Sequence, residues 1–210
     1  MKTIISPKEL ADAIGASESS VKRWADAGRL SVQRTAGGHR RIPREEALRF
    51  VREEGLSLVR PEILGVDEVT ALPEALPGQP AAELFHALHH GHPEQAQGIL
   101  TGLYLDGRGL AQIIDQVLAP AMTRIGELWR HDEAGIFIEH RAVDICERAL
   151  DRLRELAPPL PTDAPIAVGG APGGDPYSLP SRMAATVLRE QGWQVVNLGA
   201  FTPAPVLARA

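Results

Sequence analysis

Residues 6–15, SPKELADAIG, place Leu10, Ala11 and Ile14 at helical spacing behind a serine cap and a proline at the first helical position, and Gly15 ends the run. The pattern predicts a short helix. Residues 17–28, SESSVKRWADAG, repeat it, with Ser17 as cap, Val21 and Trp24 inward at i and i+3, and Gly28 as terminator. Two short helices joined by a tight turn make a helix-turn-helix. Next, LSVQRTAGGHRRI (30–42) alternates through Leu30 and Val32 to a Gly37-Gly38 turn and returns through Ile42, which predicts a β-hairpin wing. A third helix is expected over PREEALRFVREEG (43–55), with Pro43 at its start and Ala47, Leu48 and Val51 on one side.

The stretch 61–80 is acidic and holds four of the 17 prolines, so it reads as a linker between a head (1–60) and the rest of the chain. From 81 to 157 the pattern is helical throughout: AAELFHALHHG, PEQAQGILTGLYLDG, GLAQIIDQVLAPAMTRIGELW and IFIEHRAVDICERALDRLREL predict four helices with short loops, a bundle. After PPLPTDAP come an apolar run (IAVGGA, 166–171), a glycine-rich loop, a helical run (SRMAATVLREQG, 181–192) and a second strand pattern (WQVVNLG, 193–199). Residues 165–210 therefore read as the start of a Rossmann-like α/β unit that stops after roughly one βαβ repeat. The expected fold class is mainly α, with a winged helix-turn-helix, a four-helix bundle and an incomplete α/β unit.

Composition, 44% hydrophobic and 23% charged, is ordinary for a globular chain. No apolar run approaches 20 residues and no basic-then-apolar leader opens the chain, so the expectation is a cytoplasmic protein with no membrane partner. The single cysteine, Cys146, rules out an internal disulfide and a multi-cysteine zinc site, and its helical context favours core packing over catalysis. Charge is divided unevenly: residues 1–60 carry 12 Lys/Arg against 8 Asp/Glu, a net +4, and residues 61–210 carry 10 against 19, a net −9. Arg29, Arg34, Arg40, Arg41 and Arg44 fall within 29–44 with no acid among them, the footprint of a phosphate-binding surface.

The head residues resemble the winged helix-turn-helix of MerR-type transcription regulators, above all in RTAGGHR and the Arg23-Trp24 pair. Ser19, Ser20, Lys22 and Arg23 on the second helix and Arg34, Thr35, Gly37, Gly38, His39, Arg40 and Arg41 on the wing are the candidate contacts to double-stranded operator DNA. Lys22 and Arg23 lie opposite Val21 and Trp24 and can reach the major groove or its phosphates, whereas Trp24 reads as a core anchor. Modules of this size gain specificity by presenting two copies to a repeated site, so a homo-oligomer is expected.

Residues 81–157 resemble the helical cap of cobalamin-binding domains, with Trp129, Glu139 and His140 in a Trp, nine residues, Glu-His pattern. The order of head, cap and α/β tail resembles the light-responsive repressors of the CarH and CarA type, which control carotenoid genes. That resemblance implies that Trp129, Glu139 and His140 face the upper side of a corrin and that an Asp/Glu-x-His-x-x-Gly motif in the tail supplies the lower cobalt ligand. Here the matching residues are Asp175, Tyr177 and Pro180. A neutral imidazole offers a lone pair at pH 7, whereas a phenol keeps its proton there and ligates cobalt poorly. Pro180 fixes φ where the motif has glycine. The expected protein is therefore a non-enzymatic DNA-binding repressor with a degenerate cobalamin site, no bound cofactor, and Tyr177 filling the ligand's space. Two alternatives stand beside it: a sensor holding adenosylcobalamin or another tetrapyrrole through Trp129, His131 and His140, and a corrinoid methyl-carrier component. His86 and His90, at i and i+4 in HALHHGH, invite a metal reading, but nothing completes a ligand set, and none is expected.

Overall fold

The computed structural model describes residues 3–66, 78–128 and 134–209. The chain divides into two compact units, Met1–Pro73 with Gly98–Arg108, and Glu74–Gln97 with Gly109–Ala210. The fold is mainly helical, as the pattern predicts.

The first unit opens with β1 (Ile4–Ile5) and α1 (Pro7–Ile14). Ser6 caps α1 in a reciprocal box: its hydroxyl accepts from the Glu9 backbone N–H, and the Glu9 carboxylate accepts from the Ser6 N–H at 2.7 Å. α2 (Glu18–Asp26) is capped in the same sense by Ser17. The wing is β2 (Gln33–Arg34) and β3 (Arg40–Pro43), antiparallel with Gln33 opposite Arg41 and Arg34 opposite Arg40. β3 also pairs on its other side with β1, Ile5 opposite Ile42, so the wing is rooted in a three-stranded sheet of order β1-β3-β2. The two-residue strand β1 is too short to show an alternating pattern. Pro43 is the cap of α3 (Arg44–Glu53) rather than its first residue.

Ile5, Leu10, Val21, Leu30, Ile42, Leu48, Phe50 and Val51 are buried to 2% exposure or less, each worth about 1.5–3 kcal/mol for full burial. Trp24 packs on Phe50, ring centroids 5.2 Å apart, as its anchor role requires. The proline-rich 61–80 stretch is not all linker. Pro61–Leu64 forms a 3-10 turn with Leu64 and Val66 buried, and the buried Arg44 donates to the Leu64 and Gly65 carbonyls that end this turn. Residues 67–77 lie outside the described ones.

In the second unit α4 (Gln79–His90) packs against α7 (Ala119–Leu128) and α8 (Ala134–Leu156), and α7 also packs against α8. α5 (Pro93–Leu105) contributes residues to both units. The helical run ahead of α7 is not regular: α6 (Leu110–Ile113) passes into a π-helical turn at Ile114–Leu118, where the Ala119 N–H donates to Ile114 O. The widened turn lies immediately before Pro120, which has no N–H and whose ring would press on the Gln116 carbonyl in an unbroken α-helix.

The tail is β4 (Ile166–Gly169), α9 (Leu179–Glu190), β5 (Gln194–Asn197) and α10 (Ala204–Leu207), with β4 and β5 parallel. α9 covers one sheet face and packs against α8, where Arg182 meets Asp151 at 2.6 Å and the Ser178 hydroxyl donates to Glu147. Glu190 reaches α6, its carboxylate accepting the Leu110 N–H at 2.8 Å. Ile166, Val168 and Val196 remain exposed on the sheet. Cys146 is buried in α8, as expected for a packing residue.

Candidate functional site

The head's candidate DNA surface is built from α2 and the wing. A serine cluster opens α2: the Ser17 hydroxyl lies 2.8 Å from that of Ser19 and 3.0 Å from that of Ser20, and Arg23 donates to the Ser20 hydroxyl at 3.2 Å. Lys22 is half exposed and pairs with Glu18 at 2.7 Å, an exposed i,i+4 contact weak enough to exchange for a phosphate. At the wing tip Thr35 closes the turn with three hydrogen bonds: its carbonyl accepts from Gly38, its N–H donates to His39 O, and its hydroxyl accepts from the His39 N–H. Gly38 sits at φ 78°, where a Cβ would be strained, so the second glycine of the pair is the one the turn demands.

The arginines separate into two groups. The Arg40 guanidinium is tied down, donating to Asp26 at 2.6 Å and to Lys22 O at 3.2 Å, with its side chain only 20% exposed. Arg29 forms a two-point pair with Glu54, and Arg44 is buried in the head. Through its contacts with Asp26 and Lys22 O, Arg40 ties the wing to the end of α2. Arg34 and Arg41 are exposed, and their guanidinium groups make no hydrogen bond or ion pair with described residues. Asp26, the acid that holds Arg40, escaped the sequence reading because the two are 14 residues apart.

In the second unit a cleft of about 500 Å³ opens between α8 and the loop ahead of α9, lined by Glu139, His140, Val143, Asp144, Glu147 and residues 176–179. The α8 residues recur at i, i+1, i+4, i+5 and i+8, one face of a helix. The structure thus brings Glu139, His140 and Tyr177 to a single cavity. Trp129 and His131 lie outside the described residues. Tyr177 does not fill the space: it is 53% exposed at the rim of an open cleft. Asp175 does not orient a side-chain ligand either, because its carboxylate accepts the Tyr177 backbone N–H at 2.9 Å in an Asx-turn, while its carbonyl accepts the Phe201 N–H. Pro180 lies in the first turn of α9. Asp144 pairs with Arg148 at 2.7 Å, and Glu147 takes the Ser178 hydroxyl and has Arg182 at 3.9 Å. Glu139, His140 and Tyr177 have no side-chain hydrogen bond or ion pair among the described residues.

The histidines at the end of α4 are stacked rather than arranged around an ion. His86, His90 and His92 lie ring on ring at 6.3 and 5.9 Å, and His90 Nδ1 is 2.8 Å from His86 O. Among the described residues no group of three potential ligands could hold a metal ion. Beside them Gly91 ends α4 at φ 74°, where a Cβ would lie 2.5 Å from the Arg141 guanidinium carbon. Arg141 in turn donates to His89 O at 2.7 Å. No helix among the described residues is long and apolar enough to cross a membrane.

Residues 4–55 match the family model described as a helix-turn-helix domain, and residues 80–154 match the one described as a B12 binding domain. No curated protein matches the chain. Among solved structures, the methanol:cobalamin methyltransferase complex MtaBC from Methanosarcina barkeri is similar at 17% identity, over 70% of this chain and 58% of that one, with a TM-score of 0.34 that carries no argument about function. The chain therefore combines a helix-turn-helix domain with a B12-binding-domain-like helical region.

Proposed function

We propose that the protein is a DNA-binding transcription regulator of the MerR-like, repressor kind, whose second unit is built like a cobalamin module but does not hold cobalt through a lower histidine. The observation that carries the DNA reading is the head itself: α2 presents Lys22 and Arg23 outward, and beside it a wing pinned by Arg40 offers Arg34 and Arg41, whose guanidinium groups no described residue engages. Two exposed guanidinium groups on a rooted hairpin suit phosphate contacts, and the serine cluster with Arg23 suits contacts at the groove. Binding as two copies to a repeated operator follows from the small size of one head.

A corrin makes definite demands on the second unit. At the position where the resembling family has its lower ligand stands an exposed phenol, the neighbouring carboxylate is spent on a backbone N–H, and a proline follows in the first turn of α9. These residues do not fit a histidine-ligated cobalamin. A second reading, a sensor that still holds a tetrapyrrole from above, is favoured by His140, whose imidazole lines the cleft without a partner among the described residues. One experiment separates them. The purified protein is mixed with adenosylcobalamin in the dark, passed through gel filtration, and its visible spectrum and operator affinity are measured before and after illumination. No retained chromophore and equal affinities support the first reading; a stoichiometric complex whose DNA affinity falls in light supports the second.

A further inference from the structure

The cleft on α8 gathers polar groups that no described residue engages. Asp144 pairs with Arg148, and Glu147 accepts the Ser178 hydroxyl with Arg182, held more closely by Asp151, 3.9 Å away. The carboxylate left over is that of Glu139, which makes no hydrogen bond or ion pair with described residues, and the same holds for the His140 imidazole and the Tyr177 hydroxyl. Val143, Pro176 and Leu179 line the remainder with apolar surface, and more than half of Tyr177 is exposed. A volume of about 500 Å³ lies within the range of small-molecule sites. Convergent polar groups without internal partners, set in apolar walls, are the usual form of such a site.

From this balance we infer that the cleft binds a small planar aromatic monocation, held by Glu139 through its charge and by Tyr177 through its ring. Glu139 is the cleft carboxylate with no partner among the described residues, and Glu147, whose arginine is shared with Asp151, adds to the negative field that a cation meets. The phenol ring offers a face to a flat cation, a contact that strengthens as water is excluded. His140 adds a hydrogen-bonding edge. The net −9 carried by residues 61–210 favours a cation over an anion. The inference rests on the reading that no axially ligated corrin occupies this cleft.

The test uses the full chain without DNA and two probes of one ring size and opposite charge, 9-aminoacridine and 9-anthracenecarboxylate, titrated by fluorescence anisotropy. Saturable binding of the aminoacridine at one per chain is expected, with the carboxylate at least tenfold weaker. Glu139→Gln tests the charge and should weaken the aminoacridine about tenfold, as loss of a charge-assisted contact does, whereas the part of Tyr177 is tested by removing its ring. Tyr177→Ala should weaken binding of the aminoacridine as well. Equal binding of both probes, or indifference to Glu139→Gln in a protein of unchanged thermal midpoint, overturns the inference while leaving the DNA-regulator reading intact. Adenosylcobalamin added to the loaded protein gives the remaining arm: displacement of the acridine by a stoichiometric corrin overturns both the inference and the reading it rests on, and retention of the acridine upholds both.

Discussion

Among the arginines between residues 29 and 44, Arg29, Arg40 and Arg44 are held by the protein itself, and the guanidinium groups of Arg34 and Arg41 have no partner among the described residues. Their consequences for DNA binding differ in kind. Arg34→Ala or Arg41→Ala should each lower the slope of log affinity against log salt by about 0.9. Arg40→Ala should act through the position of the wing, and Asp26→Asn, which removes the other half of the clamp, should weaken binding similarly. Salt titrations of the four variants check this, and an Asp26→Asn protein that binds like the parent would return Arg40 to the phosphate contacts. Cys146 shows the same dependence on surroundings in another property. Burial, with the Glu147 charge adding to it, pushes its thiol from 9.0 up to about 12. Above pH 9 the unfolded chain ionises this thiol while the fold keeps it protonated, so stability should fall by about 1.4 kcal/mol per pH unit from this residue until about pH 12. Denaturant titrations at pH 8 and 10 should show that excess loss in the parent and not in Cys146→Ala.

At the scale of elements, glycine positions give the clearest expectations. Gly38→Ala forces a side chain into a left-handed turn with open space around it, so it should distort the wing tip and weaken DNA binding with little loss of global stability. Gly91→Ala meets both a left-handed φ and the Arg141 guanidinium, so it should cost about 1–2 kcal/mol from the backbone and displace the Arg141 bond to His89 O as well. Thermal unfolding of the two variants distinguishes the cases. The helices and wing were legible because caps, terminators and apolar spacing are local signals, as Ser6, Gly15 and Gly28 illustrate. What could not be read depended on distant partners. Arg29 and Glu54 are 25 residues apart, Arg44 and Leu64 are 20 apart, and the π-helical turn ahead of Pro120 looks in sequence like an unbroken helix. The cleft was half legible: Glu139, His140 and Tyr177 were named, but not Tyr177's place at an open rim or the spending of Asp175 on its own loop.

For the whole molecule, the proposed function joins a head that reads DNA to a unit that does not ligate cobalt from below. Operator affinity is therefore expected to be the same in darkness and light with adenosylcobalamin present. Binding to a two-half-site operator should be cooperative, which titration against one and two half-sites measures; identical one-site curves on both would remove the dimeric reading. Restoring an imidazole by Tyr177→His should not bring back a stable corrin complex, since Pro180 still fixes the start of α9 and Asp175 remains engaged with its own loop.

The bond from Glu190 to the Leu110 N–H spans 80 residues of chain. On the ribosome α6 is made long before the residue that finishes its first turn, so during synthesis that end of the helix is left open to water and to fraying. A nascent chain arrested at residue 157 would carry α4 to α8 with the turn still unclosed, and it would gain protection there only once α9 has emerged and docked. Pulse-labelled amide exchange at Leu110 in arrested chains of increasing length would therefore report when the tail arrives.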